Sequence, residues 1–412
     1  MELSYIQDCP SCGAPVEVAE VDRVVDCRYC DGRNYMVSGQ PLRFVLPTMV
    51  GEAVAPRDII HIPYLRFKGH VYSCMGTELE HRIVDTTQLG YSSEKIPASL
   101  GLRAQAMQIR LVGAGHGGLF AGLTEKIKDI FAKAAKLTSA FSDNQDTLYH
   151  RSFIGETISC IYLPAYFREG RLIDGVLNRD ICAESTDLLK KHCRPVKEKW
   201  LPTFISTICP HCAAALSGER DSLVMECRNC ESLWQERNGR FERVPFSCAP
   251  AVQGDRFLPF WRISISSEGL QLKSFADFLR LTNQPVVIRD MHENLELDFW
   301  VPAFKIRPKH FLQISKNITV SQHKIPLKTG NLGKNLYPVT LPATEAVQAL
   351  KAILAAAVMN KRDFMPSLPG VTIKARHTAL VYLPFHVLGH DLVQDHTAVA
   401  FSEKNLHYGR SM

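Results

Sequence analysis

Residues 9–30 read CPSCGAPVEVAEVDRVVDCRYC, and residues 209–230 read CPHCAAALSGERDSLVMECRNC. Each stretch holds two Cys-x-x-Cys pairs, and the second stretch repeats the cysteine spacing of the first. A Cys-x-x-Cys pair turns two thiols toward one point, and two such pairs complete a tetrahedral four-sulfur site. Soft thiolate ligands favour zinc, which imposes no geometry of its own. Cys9, Cys12, Cys27 and Cys30, and likewise Cys209, Cys212, Cys227 and Cys230, are therefore the expected ligands of two zinc ions. Four thiolates close the coordination shell and leave no position for water, so both ions are expected to be structural. Iron can use the same four ligands. A redox role would instead need one Cys-x-x-Cys at a helix start rather than two facing pairs.

The loops Cys9-Pro10-Ser11-Cys12-Gly13 and Cys27-Arg28-Tyr29-Cys30-Asp31-Gly32 resemble those of the zinc-ribbon families. The resemblance implies two zinc knuckles on a small three-stranded ribbon. The alternating runs 14–25 and 213–225 suit the hairpin between the knuckles. In the second copy Ala213 follows Cys212, and Glu231 and Ser232 follow Cys230, so both knuckle glycines are missing. Glycine usually supplies positive φ there, so its absence bears on the geometry of the second knuckle and slightly on its metal affinity. The resemblance covers about 30 residues of each half.

Working outward, other echoes keep the same order. Ile62-Pro63-Tyr64-Leu65-Arg66-Phe67 resembles Leu258-Pro259-Phe260-Trp261-Arg262-Ile263, and Ile161-Tyr162-Leu163-Pro164 matches Val381-Tyr382-Leu383-Pro384. The run 102–112 loosely matches 303–314. Ordered echoes predict duplication of a larger unit. The expected fold is α+β and β-rich, in two tandem related halves, each starting with a four-cysteine zinc ribbon. The expected boundaries are 1–45 for ribbon 1, 46–194 for the first α+β domain, 195–245 for a linker and ribbon 2, and 246–412 for the second α+β domain. Alternating apolar runs predict strands over 59–67, 107–112, 157–163 and 378–383. Helices are expected over 123–137, 185–192, 272–281 and, opened by Pro342, over 342–360. Pro63, Pro164, Pro259, Pro302 and Pro384 should mark strand starts, bulges or edges, because proline cannot donate to a ladder.

The bulk properties fit this reading. The 412 residues are 46% hydrophobic and 22% charged, which is ordinary globular composition. A net charge of +6 is too mild to announce a nucleic-acid or membrane partner. No signal-like start and no 18-residue apolar run are visible, which points to a cytoplasmic chain without a membrane span. A reducing compartment favours zinc over disulfides for the 13 cysteines.

Catalytic signatures are weak. Residues 113–118 read GAGHGG, matching G-x-G-x-x-G through Gly113, Gly115 and Gly118. That would suit a nucleotide if a strand preceded the loop and a helix followed it. The preceding run alternates, no acidic residue ends a following strand, and a tight turn is the simpler reading. His386 and His390 form a possible metal pair only on a helix, which Gly389 argues against. Cys74, Cys160, Cys182, Cys193 and Cys248 are single, and buried inert thiols are the default. Arg66 and Arg262 hold the same place in the repeated aromatic motif, as partner-binding candidates or as structural ion pairs. Lys126, Lys128, Lys133 and Lys136 give the expected helix over 123–137 a basic face, most simply a solvated one. The reading is a non-enzymatic zinc-ribbon scaffold or adaptor that binds a protein partner. The alternatives are a nucleic-acid-associated zinc-ribbon protein and a nucleotide-binding enzyme that uses the 113–118 loop.

Overall fold

The computed structural model describes residues 3–50, 54–101, 107–124, 147–183, 191–250, 255–325, 327, 333, 335–397 and 399–410. The chain forms two compact units. One comprises Met1–Lys68, Val84–Asp143 and Glu156–Thr207, the other Gly69–Ile83, Asn144–Gly155 and Ile208–Met412.

In the first unit, β1 (Ser4–Asp8) pairs antiparallel with β2 (Pro15–Ala19), and β3 (Val24–Asp26) with β4 (Arg33–Val37). The larger sheet contains β5 (Leu42–Val45), β6 (Ile60–Met75), β7 (Glu78–Leu89), β8 (Arg110–Leu111), β9 (Leu119–Ala121), β10 (Leu148–Arg168), β11 (Arg171–Asp174), β12 (Arg179–Ala183) and β13 (Cys193–Arg194), of which 69–75 of β6, 78–83 of β7 and 148–155 of β10 are part of the second unit. Its order is β12-β11-β10-β6-β9-β13, with β5 parallel to β10. The small strands do not stand apart. Tyr5, Val18, Val25 and Met36 join Phe44, Ile62, Tyr64, Ile161 and Leu163 in one buried cluster. The stretch 195–207, expected as a linker, is folded into this unit. Trp200 packs its ring against Phe120 and under the Arg43 guanidinium, 4.3 Å from the ring centre. Beyond it β14 (Thr203–Ser206) pairs antiparallel with β4 and completes a three-stranded sheet.

In the second unit, β15 (Val224–Cys227), β16 (Ser232–Arg237) and β17 (Arg240–Val244) form an antiparallel three-stranded sheet. β18 (Phe246–Cys248) runs parallel to β21 (Thr372–Leu388). With β19 (Arg256–Glu268), β20 (Asp298–Pro302), β22 (Asp391–Gln394) and β23 (Val399–Ser402) the order is β20-β19-β21-β22-β23. Seven helices occur among the described residues: α1 (Phe275–Thr282), α2 (Asp290–Glu293), α3 (Pro308–Val320), α4 (Ala343–Gln348), α5 (Leu350–Ala357), α6 (Lys361–Phe364) and α7 (Lys404–Arg410). Ser274 and Asp277 cap α1 reciprocally. Phe278 and Leu279 of α1, Phe311, Ile314 and Ile318 of α3, and Ile353 and Leu354 of α5 share a core with Phe260, Ile263, Phe299 and Val381 of the sheet.

The chain is β-rich with few helices, as the alternating runs predict. Three expectations change. Pro63, Pro164, Pro259 and Pro384 lie inside long strands and Pro302 at the end of a short one; at Pro164 and Pro259 a neighbouring strand runs out. The Pro164 carbonyl accepts from Gly175, one residue beyond β11, and the Pro259 carbonyl from Ala303, one beyond β20. The missing N–H therefore costs little there. The helix expected over 342–360 is two helices that meet at Ala349, and the Gln284 side-chain amide donates to the Ala357 carbonyl at its end. The stretch 303–314 leads into α3, whereas Arg110–Leu111 is strand, so that echo does not mark a shared element. The helices expected over 123–137 and 185–192 fall largely outside the described residues, as do Lys126, Lys128, Lys133 and Lys136.

Candidate metal centres

Each cysteine quartet closes on itself. The four sulfurs of Cys9, Cys12, Cys27 and Cys30 lie within 4.8 Å of one another, as do those of Cys209, Cys212, Cys227 and Cys230. Neighbouring sulfurs are 3.8 Å (Cys9–Cys30) and 3.6 Å (Cys12–Cys27) apart in the first group. In the second they are 3.6 Å (Cys209–Cys230) and 3.4 Å (Cys212–Cys227) apart. A disulfide needs about 2.05 Å. A tetrahedron with metal–sulfur bonds of about 2.3 Å has edges of about 3.8 Å. The donor set and its spacing therefore fit a tetrahedral tetrathiolate metal centre.

Local backbone makes this possible. Gly13 (φ 76°) and Asp31 (φ 53°) take left-handed conformations directly after the second cysteine of each pair. Ala213 (φ 60°) and Glu231 (φ 48°) do the same in the second group. The second quartet thus repeats the left-handed backbone of the first at Ala213 and Glu231, without a glycine at either. The strain at Ala213 and Glu231, about 1–2 kcal/mol each, is tolerated inside a multiply bonded loop. The turn also aims amides at sulfur: the Cys9 carbonyl accepts from Gly13, and the Ser11 N–H points at the Cys9 sulfur 3.4 Å away.

Thiol acidity follows from this crowding. Burial pushes Cys9 up, but the Ser11 and Cys12 amides and the neighbouring thiols outweigh it and bring it down to about 6. The Gly32 amide pulls Cys30 down, yet its cysteine neighbours win and raise it to about 12. In the second group the Asn229 side chain and the Ala214 amide bring Cys212 down to about 6. Burial and the neighbouring thiols raise Cys227 to about 12. The first thiolate in each quartet thus opposes ionisation of the others, and a bound dication would remove that opposition.

The remaining candidates are placed as follows. Arg66 is fully buried and bonds Asp85 through Nε and Nη2, both at 2.8 Å, and Glu20 through Nη1. Arg262 keeps 40% of its side chain exposed and bonds Asp298 through Nε at 2.6 Å. Both are ion-paired across neighbouring strands. Gly113, Gly115 and Gly118 lie in a loop that joins β8 to β9, so a strand follows rather than the helix a dinucleotide loop requires. Gly118 has φ 88°, and a Cβ there would stand 2.5 Å from the Ile59 carbonyl oxygen. His386 lies on β21 and His390 in the turn after it, so helical ligation does not arise. Cys74, Cys160, Cys193 and Cys248 are buried and Cys182 partly so. Burial raises Cys74 to about 12, and Cys160 and Cys248 to about 11.

The sequence reading missed Ser232 as a group that touches a sulfur, Asn229 as one that lowers the pKa of the Cys212 thiol, and Asp85 and Asp298 as the arginine partners. Ser232 and Asn229 were visible as knuckle residues, but their side-chain directions were not. No helix among the described residues is long and apolar enough to cross a membrane. No protein-family model, curated protein or solved structure matches this chain.

Proposed function

We propose that the chain is a structural zinc protein that works as a scaffold or adaptor, holding a protein partner rather than turning over a substrate. The observation that carries the reading is Tyr29. It stands between the ligands Cys27 and Cys30 with 73% of its surface exposed. A tyrosine there is held on a backbone fixed from both sides, so it loses little freedom on contact, and such residues anchor interfaces. Val387 and Leu388, both exposed beside the Gly389 turn, offer a second apolar point. Thiolates suit zinc, and a closed four-sulfur shell suits a structural ion that stiffens the knuckle without exposing a reactive position.

The two units are read as copies of one ancestral unit. In support, β5 pairs parallel with β10 as β18 does with β21. The hairpin turns at Gly170 and Gly389–His390 follow the matching Tyr-Leu-Pro segments, and Arg66–Asp85 parallels Arg262–Asp298. Two related surfaces on one chain suit a bivalent binder.

The test is metal analysis of the purified full chain by mass spectrometry, joined to capture from native lysate with and without nuclease. The expected result is two zinc ions and a protein captured by the wild type after nuclease, but not by Tyr29→Ser. Loss of all capture on nuclease treatment points instead to nucleic acid, on which Tyr29 and the adjacent Arg28 would stack. Iron in the centres, or capture indifferent to Tyr29, overturns the reading.

A further inference from the structure

The two quartets share ligands and spacing but differ in what surrounds the sulfurs. In the second, Ser232 Oγ is 2.9 Å from Cys230 Sγ, and Trp234 Nε1 is 2.8 Å from the same Oγ. Indole N–H can only donate. The Ser232 oxygen therefore accepts from Trp234, and its own proton is free to go to a Cys230 thiolate that has none. Ser232 and Trp234 fall on one face of β16 because strand side chains alternate, so the relay is fixed by the strand itself. Ser232 is nearly fully buried, and Trp234 is buried too. The Asn229 side chain adds only an electrostatic effect, lowering the pKa of the Cys212 thiol. This quartet thus has one sulfur, that of Cys230, hydrogen-bonded by a buried side chain.

The corresponding positions of the first quartet are Gly32, Asn34 and Tyr29. Gly32 carries no side chain. Asn34 Nδ2 donates to Ser11 Oγ at 3.1 Å and so ties knuckle to knuckle instead of reaching sulfur. Tyr29 points outward. Exposure follows the same division: Cys12 and Cys30 are exposed, whereas Cys212 and Cys230 are partly shielded.

We infer that the two centres are unequal: the Trp234–Ser232 relay and the shielding of Cys212 and Cys230 make the 209–230 centre the inert one, and the 9–30 centre is the exchangeable one, open to chelators and soft electrophiles. The inference rests on the zinc reading above. A hydrogen bond to a thiolate draws off charge that would otherwise attack an electrophile or take up a proton, and burial bars the approach of a chelator. Ser232 acts through the Cys230 ligand, so it is a positioning residue. Loss of such an outer contact weakens metal binding by about 10–100-fold, carried mainly by the rate of release.

The experiment follows zinc release from the folded full chain into a chromophoric chelator. Samples are alkylated with iodoacetamide part-way, and the labelled cysteines are identified by mass spectrometry. Two phases of equal amplitude are expected, with label first on Cys9, Cys12, Cys27 and Cys30. Ser232→Ala should accelerate the slow phase by about 10–100-fold and leave the fast phase unchanged. Ser232→Thr, which keeps the hydroxyl, should retain the slow phase and excludes simple loss of folding. A single phase, early label on Cys209–Cys230, or a slow phase indifferent to Ser232→Ala overturns the inference while the zinc reading stands. A chain isolated with no zinc overturns the zinc reading and the inference together.

Discussion

Arg66 and Arg262 occupy matching places and carry different energetic weight. Arg66 is buried between two carboxylates, so removing it leaves Glu20 and Asp85 without their cation inside the protein. Stranding buried charge costs about 3–5 kcal/mol. Arg262 is 40% exposed and its pair is partly screened, which limits its worth to about 1 kcal/mol or less. Urea unfolding of Arg66→Met and Arg262→Met should show this inequality. Equal small effects would contradict the buried triad. The arginine positions were legible in the repeated aromatic motif. Their partners were not, because Asp85 and Asp298 reach them only through strand register, which no local spacing encodes. The cysteines were legible for the opposite reason: four ligands within 22 residues write their geometry into the spacing. The left-handed Ala213 shows where that reading stops. A missing glycine signals strain, but the surrounding bonds decide whether the strain is borne.

At the level of elements, the first knuckle pair and its strands share a core with the larger sheet of their unit through Tyr5, Val18, Val25 and Met36. A Cys9→Ser chain should therefore lose one metal ion and loosen residues 5–45, and the disturbance should reach β5 through Phe44, whose ring centre lies 5.1 Å from that of Tyr5. Hydrogen exchange by mass spectrometry would register faster exchange over 5–45, with Leu42–Val45 of the larger sheet included. Protection unchanged at Phe44 would mean that the small strands are held separately from the sheet. Helix α3 illustrates a missed signal of another kind. Pro308 at its first turn, with apolar residues at 311, 314 and 318, marked a helix. Strands β5, β8 and β18 are too short for periodicity to reveal, and their pairing is set by tertiary contacts.

For the molecule as a whole, acid should be destabilising. His61 is buried against Phe120, and burial brings its pKa down to about 4. The folded chain therefore holds it neutral, whereas the unfolded chain protonates it near its usual 6.5. A group depressed on folding contributes fully above the unfolded value, and that contribution is lost as pH falls from about 6.5 toward 4. Acid also protonates thiolates and so expels metal. Thermal midpoints of wild type and His61→Gln should therefore be compared at each pH. The gap between them should narrow from pH 7 to pH 4, and a constant gap would remove His61 from the account. Metal counts add a second global readout. If Cys9→Ser loses one ion and keeps the other, the units fold separately. Loss of both would make them one cooperative system.

The pairing of β14 with β4 bears on the order in which the chain is made. The first knuckle pair is complete once residue 30 has left the ribosome, so metal can be captured early. Its sheet, however, waits for Thr203–Ser206 to pair with Arg33–Val37. At about 5–20 residues per second that wait is about 10–30 s. Throughout it, one side of β4 is an open template for the wrong strand. Slow synthesis should therefore be more dangerous to this protein than fast synthesis, a consequence of topology rather than of any single residue.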